Sequence, residues 1–210
     1  MRRVLLISLS LVLALAGWST VCADAYAQPV GKKCVVIPLF GNSPATVPAP
    51  VPKTGQTTSY GTRDDGALQK GVAWPTPRFT DNNNGTVTDN LTKLIWMKNA
   101  NAFGERTWDT ALSDANNLKS GDHGLTDGSQ AGDWRLPNRR ELLSLVDDGK
   151  ISPALPAGHP FTSEQSDIYW SSSSYLNGAN GAWIVNFADG IVLPSLKTSA
   201  QYVWCVRGGP

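Results

Sequence analysis

Histidine occurs only twice in the 210 residues and cysteine three times, and these scarcities remove whole classes of chemistry. His123 and His159 stand far apart in loop-like stretches, with no HExxH spacing and no neighbouring cysteine. Neither a zinc site nor a histidine-based nucleophilic triad is expected. Glutamate is confined to Glu105, Glu141 and Glu164, so a paired-carboxylate hydrolase would have to recruit Asp127, Asp133 or Asp189, which nothing in the sequence sets apart. A phosphate loop and a dinucleotide fingerprint are missing. The run Ser171-Ser172-Ser173-Ser174 lacks the Gly-x-Ser-x-Gly elbow of a hydrolase nucleophile and reads as a polar strand end. No catalytic residue, metal site or cofactor is therefore expected.

Long apolar runs are missing beyond the first turns of the chain. Met1-Arg2-Arg3 is a positive n-region, Val4 to Ala16 an apolar core too short to span a bilayer comfortably, and Ala25-Tyr26-Ala27 a small-residue cleavage pattern. Residues 1–27 read as a signal peptide, which makes the protein exported: periplasmic, cell-surface or secreted. Val21 before Cys22 argues against a lipid-modified cysteine. Removing Arg2, Arg3 and Asp24 takes the basic residues from 18 to 16 and the acidic ones from 17 to 16. A balanced mature chain excludes nucleic acid or an anionic membrane surface as the main partner. A local basic patch at Arg135, Arg139, Arg140 and Lys150 stands beside the simpler reading of a solvated helix face.

Proline is plentiful where structure is not expected. Pro29, Pro38, Pro44, Pro48, Pro50 and Pro52 punctuate residues 28–52, which read as an extended linker with at most a short edge strand at Val35-Val36-Ile37. The folded domain should occupy residues 53–210, its first part to Gly71 wrapping over the rest without much regular structure. Two cysteines survive processing, Cys34 and Cys205. Export favours pairing them, a bond that would constrain the unfolded chain by roughly 5 kcal/mol. A buried, unpaired Cys205 is the other reading, and both stay open.

The pattern that organises the domain is Gly132-Asp133-Trp134-Arg135-Leu136-Pro137-Asn138-Arg139-Arg140-Glu141-Leu142. Trp134 and Leu136 alternate with polar neighbours as in a half-buried strand, Pro137 stops it, and Asn138 with Glu141 three residues on forms a capping box. The helix is expected over Arg139 to Asp148, closed by Gly149. Earlier, Phe79-Thr80-Asp81 and Thr86-Val87-Thr88-Asp89 flank Asn82-Asn83-Asn84-Gly85, a strong hairpin signature. Asp81, Asn83 and Asp89 could offer oxygens to calcium, but the spacing fails the EF-hand test and a structural turn is favoured. Leu94 to Met97 reads as a third strand, and Thr107 as the cap of a helix to Leu118 with Trp108, Ala111, Leu112, Ala115 and Leu118 on one face. The last sheet is expected from Ile168–Ser172, Ala182–Phe187, Ile191–Leu196 and Tyr202–Arg207. No repeat, heptad or collagen-type triplet run is present.

The Trp134 motif, Tyr169-Trp170-Ser171-Ser172, the closing Val203-Trp204-Cys205-Val206-Arg207, Pro52 to Thr57, Arg78 to Asp81 and Gly85 to Asp89 together resemble the bacterial domain named after the C-terminal region of a Legionella collagen-like adhesin. The resemblance covers about residues 53 to 208. A more distant one, through Arg135-Leu136-Pro137 and the final strand, is to formylglycine-generating sulfatase-activating proteins and C-type-lectin-like folds. It implies an α+β domain of C-type-lectin-like type, two helices packed on a short twisted antiparallel sheet. The sulfatase activators use a cysteine pair in the C-terminal part of their domain, where this chain has Cys205 alone.

The resemblance further implies an exported, non-catalytic recognition module for a glycan or another surface ligand in adhesion, with no span of the membrane and an oligomeric state left open. Alternatives are a structural subunit of an envelope assembly and an oxidative enzyme of the sulfatase-activating kind. Lectin-like folds use loops around the final sheet, which places Trp170, Tyr175, Asn177, Asn180, Trp183, Asn186 and Asp189 at the expected site. Aromatic faces beside amides and carboxylates suit sugar rings. Trp170 and Trp183 lie in strands and read as core more readily than as contacts, whereas Tyr175, Asn177 and Asn180 sit in a glycine-bearing loop.

Overall fold

The computed structural model describes residues 18–22, 34–38 and 51–208. The chain divides into two compact units, Met1–Ala49 and Pro50–Pro210. In the first, β1 (Trp18–Cys22) pairs antiparallel with β2 (Cys34–Pro38), from Trp18 opposite Pro38 to Cys22 opposite Cys34. β1 falls inside the stretch read as a signal peptide, whose apolar core lies outside the described residues, and β2 contains the short strand expected in the linker. No helix among the described residues is long and apolar enough to cross a membrane.

The second unit opens with more order than its composition promised. Asp64 caps the short helix α1 (Asp65–Leu68), its Oδ1 accepting from the Ala67 amide at 2.9 Å. The hairpin of β3 (Phe79–Asp81) and β4 (Thr86–Asp89) forms as expected, with Phe79 opposite Asp89, and Asn83 and Gly85 supply the left-handed residues of its turn. β5 (Leu94–Met97) pairs with β4. Arg78, immediately before the hairpin, is buried with Asp89, the guanidinium Nε donating to the carboxylate at 3.0 Å. Asp81 accepts from Lys98 at 2.7 Å, so both carboxylates once weighed as calcium ligands are engaged by cations of the chain.

After β6 (Glu105–Arg106) comes α2 (Trp108–Asn117), with Thr107 in the cap position but its hydroxyl on Thr110 rather than on a backbone amide. α3 (Arg139–Leu143) carries the full capping box: Asn138 Oδ1 accepts from the amides of Arg140 and Glu141, and Glu141 accepts from the Asn138 amide. It is half the length expected. Arg78 donates to the Ser144 carbonyl at 2.7 Å and the Asp147 amide turns to the Ala154 carbonyl, so the helical ladder is interrupted before Gly149.

The final sheet was expected to hold four strands in sequence. β7 (Ile168–Ser174), β8 (Gly181–Asn186) and β9 (Val192–Leu196) do form an antiparallel ribbon, but the last expected strand is split. β10 (Gln201–Tyr202) pairs parallel with β7 and antiparallel with β6, whereas β11 (Val206–Gly208) joins β5. The unit thus has a five-stranded sheet ordered β6-β10-β7-β8-β9 and a four-stranded antiparallel sheet ordered β11-β5-β4-β3, in place of one antiparallel sheet. The reason is Trp204. Fully buried between the two strand fragments, its indole donates to the Met97 carbonyl at 2.8 Å and packs on Trp96, Phe161, Tyr169 and Phe187. Burying so large a ring takes the chain from one sheet to the other. The fold is α+β, rich in sheet and with three short helices among the described residues.

Trp134 and Leu136 are buried as their alternation implied, yet the segment makes only an isolated bridge, Arg135 to Val206, in place of a strand. The corner is fixed from both sides. Pro137 offers its carbonyl to the Ser172 amide at 2.8 Å, and the Arg139 amide donates to Ser173 Oγ at 3.0 Å. These bonds hold the start of α3 against β7, and the residues there form the surface considered next.

Candidate functional site

Trp183 projects from β8 half-buried, not as core, and three elements meet at its ring. The Arg139 guanidinium, carried by the first residue of α3, lies 4.4 Å from the ring centroid. Tyr175, just after β7, meets the indole edge-on with centroids 5.2 Å apart. Gly181 lies against the base of Tyr175, where an added Cβ would stand 3.3 Å from the Tyr175 Cβ and from the Gly178 carbonyl oxygen, a crowded contact. Stacked cation and perpendicular ring are both favourable, about 0.5–1 kcal/mol or more each at an exposed site.

Beside this cluster is a groove of about 320 Å³ lined by Asn138, Arg139, Arg140, Ser173 and Trp183. A second hollow of about 440 Å³ shares Asn138 and Arg140 with it and continues past Arg135, Glu141, Leu94 and Gly208. Arg140 is exposed and stands between the two. Arg135 is not free: it makes two 2.7 Å bonds to Glu141. Burial pushes the Glu141 carboxyl up, but these bonds and the Asn138 amide outweigh it and hold the group below the ordinary glutamate value.

The residues expected at a binding site divide. Tyr175, Asn177, Asn180 and Trp183 gather at one end of β8, with Asn177 and Asn180 exposed in a loop closed by the Tyr175 amide on the Gly181 carbonyl and the Lys197 amide on the Asn180 carbonyl. Asn186 and Asp189 lie toward the other end, Asn186 three residues and roughly 10 Å along the strand from Trp183. Both are occupied with the turn: Asn186 Oδ1 accepts from the Ala188 amide at 2.9 Å and Asp189 Oδ1 from Ile191 at 3.1 Å. They do not share a surface with the aromatic pair. Trp170 is fully buried and donates to the Arg106 carbonyl, so it is core.

Of the basic cluster, Arg139 and Arg140 line the groove, Arg135 is paired, and Lys150 is outside the groove lining. The sequence reading placed the aromatic loop and this cluster in separate proposals, whereas the structure makes them one surface. Nothing local to either stretch announces that Arg139 will cover Trp183, 44 positions later in the chain. Cys205 is a free thiol, fully buried, and burial raises its pKa well above the ordinary thiol range. The side chain of Cys34 lies outside the described residues.

A family model described as the Lcl C-terminal domain matches residues 85–207, which is more than half of the chain and includes every residue of the groove. No curated protein matches it.

Proposed function

The chain belongs to the Lcl C-terminal domain family, and from that premise we propose that it is an exported, non-catalytic recognition module that binds a saccharide or another surface ligand in adhesion. The observation that carries the reading is the groove where Arg139 stacks on Trp183 with Tyr175 at its edge. An indole capped by a stacked arginine and edged by hydrogen-bonding side chains suits a sugar ring, which has an apolar face and a rim of hydroxyls. Export rests on the basic and apolar segments at the N-terminus. A C-type-lectin-like architecture is part of the same proposal, supported by the way one closing segment serves two sheets and by the loops gathered beside the last of them.

Non-catalytic action is supported by how the reactive groups are used. Cys205 is sealed in the core, His123 packs on Phe103 with centroids 4.7 Å apart, and His159 sits beside Glu164. The groove gathers hydrogen-bond donors and a stacked ring, not an acid and a base.

A glycan array probed with the purified chain, once with calcium and once with chelator, tests the reading. Binding that survives chelation and disappears in Arg139→Ala is the expected result. An empty array together with stoichiometric co-purification of envelope proteins would replace it with the assembly-subunit alternative.

A further inference from the structure

The free polar groups of the groove are almost all donors. Asn138 Oδ1 is taken by two backbone amides of α3, which leaves the Nδ2 hydrogens unengaged. Ser173 Oγ already accepts from the Arg139 amide, which leaves its proton and one lone pair. Arg139 and Arg140 carry donors only, as does the indole of Trp183. Glu141, the carboxylate of the adjoining hollow, has one oxygen on Arg135 and the other on both Arg135 and the Asn138 amide.

A neutral sugar hydroxyl both gives and takes a hydrogen bond, and here its proton would find few acceptors. A group that only accepts satisfies the groove far better. Resting on the saccharide reading above, we infer that the groove selects a carboxylate-bearing sugar, a uronic acid. The exposed Arg140 receives the carboxylate, Asn138 Nδ2 adds a third donor, and the sugar ring lies along the rim of Trp183 beside the Arg139 guanidinium that covers it. Arg139 is less mobile, because its guanidinium is already held on the indole.

Carboxylate is favoured over sulfate because its two oxygens lie in one plane and match the fork of a guanidinium bidentately.

Calorimetric titration of the full chain with three probes tests this: an oligogalacturonide, the same oligomer with its carboxyls methyl-esterified, and a sulfated neutral galactan of similar length. The acid should bind, the ester at least about tenfold more weakly, and Arg140→Gln should bring the acid down to the level of the ester without moving the melting temperature. Equal binding of acid and ester, tighter binding of the sulfated probe, or an unaffected Arg140→Gln variant would each overturn the inference. A neutral sugar that binds through Arg139 and Trp183 would leave the saccharide reading standing and remove only the uronate. Failure of every saccharide removes both.

Discussion

Arg207, in the last strand, lies over the indole of Trp134 with its guanidinium carbon 5.4 Å from the ring centroid, and the two are also joined through side chains. Trp134 Nε1 donates to Ser129 Oγ at 2.9 Å, Ser129 Oγ donates to Asp127 at 2.8 Å, and Asp127 stands 3.0 Å from Arg207. The loop before the corner, the corner and the closing strand are thereby one polar network around a fully buried ring.

Trp134→Ala should therefore be a folding lesion. Truncating a buried tryptophan costs about 3–5 kcal/mol, and here Ser129 and Arg207 lose a partner as well. Chemical denaturation read by tryptophan fluorescence and by circular dichroism gives the difference. A variant within about 1 kcal/mol of the parent would show that the ring does not organise the domain.

Local chemistry was legible in the sequence, and long-range competition was not. The Asn138–Glu141 capping box, the Asn-Gly hairpin and the helix after Thr107 follow from residues within a few positions of one another. The early end of α3 depends on Arg78, 66 positions away, taking the Ser144 carbonyl. The split of the final strand depends on Trp204 reaching Met97 across 107 positions. At the site, Asn186 and Asp189 looked adjacent to Trp183 in sequence, but an extended strand carries them to its far end.

Glu141 sets an acid-sensitive term. Its folded carboxyl is held below the ordinary value, with burial opposing and the Arg135 and Asn138 bonds prevailing. A depressed folded pKa gives stability that is complete above the unfolded value and is lost as pH falls through the folded one. Glu141→Gln keeps an acceptor for the capping box but removes the titration. The variant should start less stable at neutral pH and lose less between about pH 5 and pH 3. Melting temperature against pH for both proteins checks this, and parallel curves would contradict it. Asp148 has the opposite sign, because burial and then Asp147 and Asp65 raise its pKa. Asp148→Asn should stabilise the domain above the raised value.

The thiol of Cys205 is fully buried and made less acidic by that burial, so it should resist alkylation in the native protein. The thiolate is the reactive form, and both access and ionisation are denied to it. Adding denaturant without reductant should expose one thiol at this position, identified by peptide mass. Labelling that appears only after reduction would mean that Cys205 is paired, with Cys34 the partner that remains if residues 1–27 are removed as proposed.

The last prediction separates the two ends of β8. Asn186 and Asp189 hold the turn through their own side chains, so the double change to alanine should cost stability, about 0.5–1.5 kcal/mol for each backbone bond lost. It should leave ligand affinity untouched, because both side chains are engaged with the turn's own backbone and lie outside the groove lining, roughly 10 Å or more along β8 from Trp183. Tyr175→Ala with Arg139→Ala should lose binding instead. Both side chains pack on the half-buried Trp183 at the surface, so their loss should cost about 1–2 kcal/mol of stability, no more than the turn variant loses. Affinity should fall at least about tenfold, the effect of losing roughly 1.4 kcal/mol of contact. The measurement is a paired one, affinity for a saccharide found on the array beside thermal stability for each double variant. If the turn variant loses binding while the groove variant keeps it, the recognition surface lies at the Asp189 end and the stacked arginine is only a structural brace for Trp183.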